Sequence, residues 1–222
     1  MKLLLKYPTR QRPLWFKKTL ETYYSMISGK HPYEFFITLD EDDGTMNNRE
    51  MRAYLDKLVN LKYRFGRHKG KIDAINADIE GLEWDVLLLV SDDMIPVMRG
   101  YDDIIIQMFE QFFPTTDGAL HFNDGLFGKN RTITLSIMGR KLYQRFGYIY
   151  HPSYKSFFCD NEFTDEVYKL GKVKYFPQVI IKHDWKGGPL EEVLYKRNNA
   201  LGAEDKATYK RRKNMGFPKG IV

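Results

Sequence analysis

The chain has 222 residues, of which 43% are hydrophobic, 15% aromatic and 29% charged, enough apolar material for one sizeable core. No run approaches the ~18 uninterrupted apolar residues that span a bilayer, and Leu3–Leu5 is too brief for the apolar core of a signal peptide. A single cysteine, Cys159, excludes an internal disulfide framework and a cysteine-built zinc site, so the expectation is a soluble, cytoplasmic protein. The formal net charge of +6 is local: residues 196–222 hold eight Lys/Arg against Glu204 and Asp205, which accounts for the whole excess. A nucleic-acid-binding domain spreads its basic face over the fold, so nucleic acid is not the expected partner. The run Lys210-Arg211-Arg212-Lys213 reads as a solvated segment, suited at most to weak attraction by an anionic membrane or a polyanion.

Short apolar runs alternate with helix-period segments along the first half. Leu3–Lys6 predicts a strand, and Pro13–Ile27 a helix with Phe16, Leu20, Tyr23, Tyr24 and Ile27 on one face. Glu34–Leu39 predicts a second strand; Asn47 with Glu50 three residues later resembles a capping box opening a helix with Met51, Tyr54, Leu55, Leu58 and Val59 as its stripe. Leu61–Phe65 is a third strand, Lys71–Glu80 a helix stopped by Gly81, and Asp85–Val90 an apolar run typical of a strand buried on both faces. In the second half the strand candidates are Ala119–Phe122, Thr132–Met138 and Val173–Ile181, with helices near Arg140 and over Asn161–Leu170. Lys186-Gly187-Gly188-Pro189 breaks structure, dividing the chain into a domain over 1–185 and a polar, basic C-terminal extension over 186–222. The alternation predicts an α/β fold with a mixed, mainly parallel central sheet flanked by helices.

Four features carry chemistry, each just past the carboxyl end of a predicted strand, where open α/β sheets place ligands. They are Pro8-Thr9-Arg10 after the first strand, Asp40-Glu41-Asp42-Asp43 after the second, Ser91-Asp92-Asp93 after the most apolar one, and His183-Asp184-Trp185 after the last. Adjacent carboxylates such as Asp92 and Asp93 repel each other, which a hard divalent cation compensates; the alternative is that they cap the following turn. His183, taken alone, fits a surface histidine as well as a ligand.

Taken together these motifs resemble the nucleotide-sugar glycosyltransferases of the GT-A fold, in particular their family 2-like group, over about residues 1–185. Pro8-Thr9-Arg10 resembles that family's nucleotide-holding loop, and Asp40 or Asp42 its base or ribose contact. Lys71-Ile72-Asp73-Ala74-Ile75-Asn76 resembles its Lys-x-x-Ala-x-Asn helix, which implies nucleotide contacts from Lys71 and Asn76. Ser91-Asp92-Asp93 resembles its Asp-x-Asp metal motif with serine at the first position, implying that Asp93 ligates Mn2+ or Mg2+ and Asp92 contacts the ribose. The resemblance further implies His183 as a late metal contact, and Asp160, or in second place Glu162, as the base that activates the acceptor.

The implied activity is that of a hexosyltransferase, moving a sugar from a nucleoside diphosphate, a uridine one by family majority, to a glycan or other hydroxyl acceptor with inversion. Asp160 is also a good helix N-cap. Among the aromatic residues of the second half, Trp185 is the choice for the acceptor, since flat rings suit sugar faces. The loop Phe122–Gly128 is either a movable wall of the site or a hairpin turn. A nucleotidyltransferase is the rival enzyme, although residues 1–13 lack the glycine-rich phosphate loop common in that class. A non-catalytic nucleotide- or polyanion-binding module is the rival outside enzymes.

Overall fold

The computed structural model describes residues 1–126, 132–184 and 189–219, and for 189–199 the backbone path alone. Nine strands and seven helices follow one another as β1 (Leu3–Pro8), α1 (Pro13–Met26), β2 (Tyr33–Asp40), α2 (Arg49–Leu55), β3 (Leu61–Gly66), α3 (Lys71–Asn76), β4 (Val86–Leu89) and β5 (Met94–Pro96), among the described residues. The chain continues as α4 (Tyr101–Phe112), β6 (Ala119–Phe122), β7 (Ile137–Gly139), α5 (Arg140–Phe146), α6 (Cys159–Lys169), β8 (Val173–Phe176), β9 (Ile181–His183) and α7 (Pro189–Asn214).

Seven strands form one sheet in the order β3-β2-β1-β4-β7-β6-β8, and β5 and β9 pair separately. The β3-β2-β1-β4 half is parallel throughout, β7 runs antiparallel between β4 and β6, and β8 is parallel to β6. The expected mixed, mainly parallel sheet is therefore present. Strand order reverses between β1 and β4, and a crevice opens at the carboxyl ends of strands at such a reversal.

Alternation along β1 sorts its side chains between two cores. Leu3, Leu5 and Tyr7 join Phe16, Leu20 and Tyr23 of α1 on one face, where Tyr101, Ile105, Ile106 and Phe109 of α4 also pack. Leu4 joins Ile72 and Ile75 of α3, Leu142 of α5 and Phe163 of α6 on the other. Each fully buried large apolar side chain contributes roughly 1.5–3 kcal/mol, so both layers are needed to hold the sheet.

Several elements differ from the sequence reading. The helix after β2 is capped by Asn48, whose Oδ1 accepts from Met51 N at 2.9 Å, one residue beyond the capping box expected at Asn47. α3 stops at Asn76 instead of reaching Glu80, because Ala77 is extended and Asp78 turns left-handed at φ +63°. α4 escaped notice because Ile104, Ile105 and Ile106 run together and blur the helical period. Val173–Ile181 is two strands, β8 and the start of β9, and Thr132–Met138 contributes only its last two residues to β7.

Residues 189–214 of the extension form α7, and Lys210, Arg211 and Lys213 of its basic run are exposed on that helix while Arg212 is buried. Arg212 is 0% exposed and pairs with Glu162, while Lys213 pairs with Asp165 at 2.7 Å. Among the described residues no helix is long and apolar enough to cross a membrane.

Lys6 sits in β1 on the face of Leu4, 0% exposed, donating to the Thr38 hydroxyl and to Ala77 O at 2.6 Å. Burial lowers its pKa to about 7; Asp78 pulls it up and Arg64 pushes it further down. Between about 7 and 10.5 the unfolded chain binds a proton that the folded chain does not, so stability rises with pH across that window, and below about 7 the full cost of burying the cation remains. Chemical denaturation should show the wild type gaining on the order of 2 kcal/mol relative to Lys6→Met between about pH 6.5 and about pH 9.5. Parallel profiles for the two proteins would show that the buried amine keeps its proton throughout.

Candidate functional site

The crevice at the strand reversal is organised by Asp92. This carboxylate is 2% exposed and accepts from Tyr7 Oη at 2.7 Å and Thr9 Oγ1 at 3.1 Å, while Arg12 Nε stands 2.8 Å from its other oxygen. Tyr7 and Thr9 come from the end of β1 and Arg12 from the residue before α1, so one acid ties three points of the chain to the end of β4. Burial pushes the Asp92 carboxyl upward, opposed by the Arg12 cation and the Tyr7 hydroxyl. Asp92 and Thr9, both expected to meet the nucleotide, are bonded to each other, and Thr9 N also donates to Thr38 O at 3.1 Å. Pro8 ends β1 opposite Thr38.

Asp93, the next residue, is turned to the crevice. Its pKa is raised by burial, but the His183 imidazole and the Ser91 hydroxyl outweigh that and hold the carboxyl well below the usual range. His183 Nε2 stands 3.5 Å from Asp93 Oδ2. The two meet because β5 and β9 pair antiparallel with Met94 opposite His183, and Asp184 N donates to Asp93 O at 2.8 Å.

Asp124, which the sequence reading passed over as part of a loop, lies behind His183. Its Oδ2 is 3.9 Å from His183 Nδ1, and its carbonyl accepts from His183 N at 2.8 Å. His183 Nδ1 is buried with no hydrogen-bond partner among the described residues. Phe127 and Gly128, the far part of that loop, lie outside the described residues, as does Trp185.

The donor set fits a divalent cation in part. Asp93 supplies a hard carboxylate oxygen and His183 an imidazole nitrogen, both suited to Mn2+. Among the described residues no group of three or more His, Cys, Asp or Glu side chains could hold a metal ion. The described residues thus offer two donors, and with these alone a cation there would need a ligand's oxygens to complete its shell.

At the β2 side, Arg10 is held by both acids expected to contact the base. Its Nη1 lies 2.7 Å from Asp40 Oδ2 and 2.7 Å from Asp42 Oδ1, and these hydrogen bonds raise its pKa. The other oxygen of Asp40 meets His68 Nδ1 at 2.7 Å, a partner that no sequence motif marked. The expected residues Arg10, Asp40 and Asp42 are thus brought together, as a closed ion-pair cluster.

Asp160 stands in the first turn of α6, which begins at Cys159, two residues before the start read from sequence. Burial pushes its pKa up; the Lys71 ammonium and, more weakly, His183 pull it down, which places α3 and β9 within electrostatic reach of this carboxylate. Its Oδ1 accepts from Asn161 N at 2.9 Å, and its own amide is a second backbone donor that lowers its pKa. The cap of α6 is Phe158, two residues earlier, so Asp160 is not the N-cap.

Two other expected residues have protein partners. Glu162 is buried with both oxygens occupied, by Arg212 at 2.8 Å each and by Tyr154 Oη at 2.7 Å. Asn76 holds the chain near residue 150: Oδ1 accepts from Ile149 N and Tyr150 N and Nδ2 donates to Tyr150 O at 2.6 Å. Lys71 is exposed at the start of α3.

The division of labour between the paired acids is measurable. Asp92→Ala leaves the buried Tyr7 hydroxyl and the Thr9 hydroxyl without their acceptor and should cost about 2–4 kcal/mol in chemical denaturation. Asp93→Ala, which removes a partly exposed ion pair, should cost about 1 kcal/mol or less. Equal losses would show that both acids are struts.

No family model matches the sequence, and no curated protein matches it. Solved structures do. A mannosyltransferase, PcManGT of Pyrobaculum calidifontis in complex with GDP-Man and Mn2+, superposes with a TM-score of 0.67 at 14% identity, over 88% of this chain and 60% of its own. Residues 1–349 of TarS from S. aureus in complex with UDP-GlcNAc give 0.66 at 15% identity, over 86% of this chain and 61% of that one. A longer TarS structure gives 0.66 at 15% identity and is covered over 37% of its length. The chain spans about three fifths of the first two proteins it superposes on. With the strand order, the crevice at the β1/β4 reversal and the acid pair at its rim, these superpositions establish that the chain carries the GT-A fold.

Proposed function

We propose that the chain is an inverting glycosyltransferase that moves a sugar from a nucleoside diphosphate to a hydroxyl acceptor. The observation that carries this reading is that Asp93 meets His183 where β5 and β9 pair, with Asp160, in the first turn of α6, within electrostatic reach of His183 and Lys71. The structures it superposes on hold GDP-Man with Mn2+ and UDP-GlcNAc, which supports a nucleotide sugar as donor. UDP is taken first and GDP as the alternative nucleotide.

In this reading Asp160 Oδ2 accepts the proton of the acceptor hydroxyl as that oxygen attacks the anomeric carbon and the bond from that carbon to the diphosphate oxygen breaks. A carboxylate raised by burial is a better base than an exposed one, and the Lys71 cation opposes that rise. Asp93 and His183 would hold a divalent cation, which when bound supplies positive charge to the departing diphosphate. Arg10 faces the same end of the crevice, and Asp40 and Asp42, relieved of it, would accept from the base or ribose. Trp185 follows His183 by two residues and is assigned to the acceptor.

Calorimetry with UDP and GDP, with and without Mn2+, tests the donor site, and diphosphate release from UDP-GlcNAc and GDP-mannose tests turnover. Asp93→Ala should abolish the Mn2+-dependent part of nucleotide binding, and His183→Ala should weaken it less. Asp160→Asn should leave nucleotide affinity within about twofold and lower turnover by about two to four orders of magnitude. Nucleotide binding that ignores Mn2+ and fades steeply with salt would favour a polyanion-binding module instead. Normal turnover in Asp160→Asn would remove the base and point to a retaining course.

A further inference from the structure

The chain enters α6 through a bend that α7 holds from behind. Lys155 N donates to Asp205 Oδ1 at 2.9 Å, and Ser156 N and Phe157 N both donate to Asp205 Oδ2 at 2.8 Å. Asp205 is 1% exposed, so one dry carboxylate gathers three successive amides by charge-assisted bonds. Phe158 follows at φ +62°, a left-handed conformation that a bulky residue keeps only where its surroundings impose it. Tyr209 of α7 stacks on its ring, with centroids 5.7 Å apart and planes 28° from parallel. Cys159 and Asp160 come next. Beyond them Arg212 binds both oxygens of Glu162 and donates to Pro218 O at 2.7 Å, closing the end of α7 over the first turn of α6.

We propose that α7 is the positioning element for Asp160: Asp205 and Tyr209 set the bend over residues 155–158, and Arg212 anchors the helix turn that follows. The inference rests on the reading of Asp160 as the base. These three residues contact the bend and α6, so they act through Asp160 and not on substrate. Energetics favours this role over simple stabilisation. A buried ion pair such as Arg212–Glu162 adds little stability over apolar groups of the same volume, but it admits one geometry only. Three amides converging on Asp205 likewise specify a bend that no apolar contact would define.

The test is a double-mutant cycle on the full chain, reading steady-state diphosphate release from whichever of UDP-GlcNAc and GDP-mannose turns over, with folding checked by thermal melting. Asp205→Ala should lower kcat about 10- to 100-fold with KM within about twofold, and in the Asp160→Asn background it should cost no more than about twofold further. Asp205→Asn, which keeps one acceptor oxygen for the amides, should recover part of the loss. If Asp205→Ala does not fold, Tyr209→Leu removes the stack on Phe158 and should give the same non-additive pattern at smaller size. Losses that multiply with Asp160→Asn, or that appear in KM, would overturn the positioning role and leave the base in place. Wild-type turnover in Asp160→Asn alone would overturn the base assignment and this inference with it.

Discussion

A carboxylate placed between two parallel strands inside a protein is costly unless donors surround it. Asp92 is tolerated because Tyr7, Thr9 and Arg12 reach it from the end of β1 and the entry to α1. That requirement fixes much else. The end of β4 cannot drift from the end of β1, and α1 must start where Arg12 can reach the acid. Asp92 and Asp93 are the central residues of a turn closed by Met94 N donating to Ser91 O at 3.1 Å, and with Asp92 held inward Asp93 is the acid left partly exposed. The adjacent acids are one device: the first is consumed to hold the second in place.

A similar logic runs through the second half, where polar groups define the geometry as much as apolar packing does. Asn76 holds the amides of Ile149 and Tyr150, Asp205 holds those of residues 155–157, and Glu162 takes the guanidinium of Arg212. Each of these side chains joins segments more than forty residues apart in sequence. Together they carry the connection from α5 to α6 along a path with little regular structure, and that path ends at Asp160.

The parallel half of the sheet was legible because its strands are short apolar runs separated by amphipathic helices, and burial on both faces leaves little else to read. The Asp93–His183 meeting was legible only as two separate motifs, since the β5–β9 register that joins them is a tertiary fact. What stayed hidden has physical reasons. Asp124 and His68 are single polar residues whose partners lie far off in sequence. Glu162 and Asp160 are indistinguishable as an acidic pair until Arg212 is seen to claim one of them, and Arg212 sits in a run of cations that reads as solvated. α4 was missed because three consecutive isoleucines satisfy a strand pattern as readily as a helical one.

The open sheet ends at β3 on one side and β8 on the other. An unpaired strand is a template on which another chain can add, which makes such rims the usual starting point of aggregation. Here β3 carries Lys62 and Arg64, exposed and paired with Glu34 and Asp78 of the inner layers, and β8 carries Lys174 over the ring of Phe112. A second copy arriving at either rim would have to bring like charges together and strip their water. The same cations that close the flanks of the sheet therefore keep the fold from propagating between molecules, a form of protection separate from anything the crevice does.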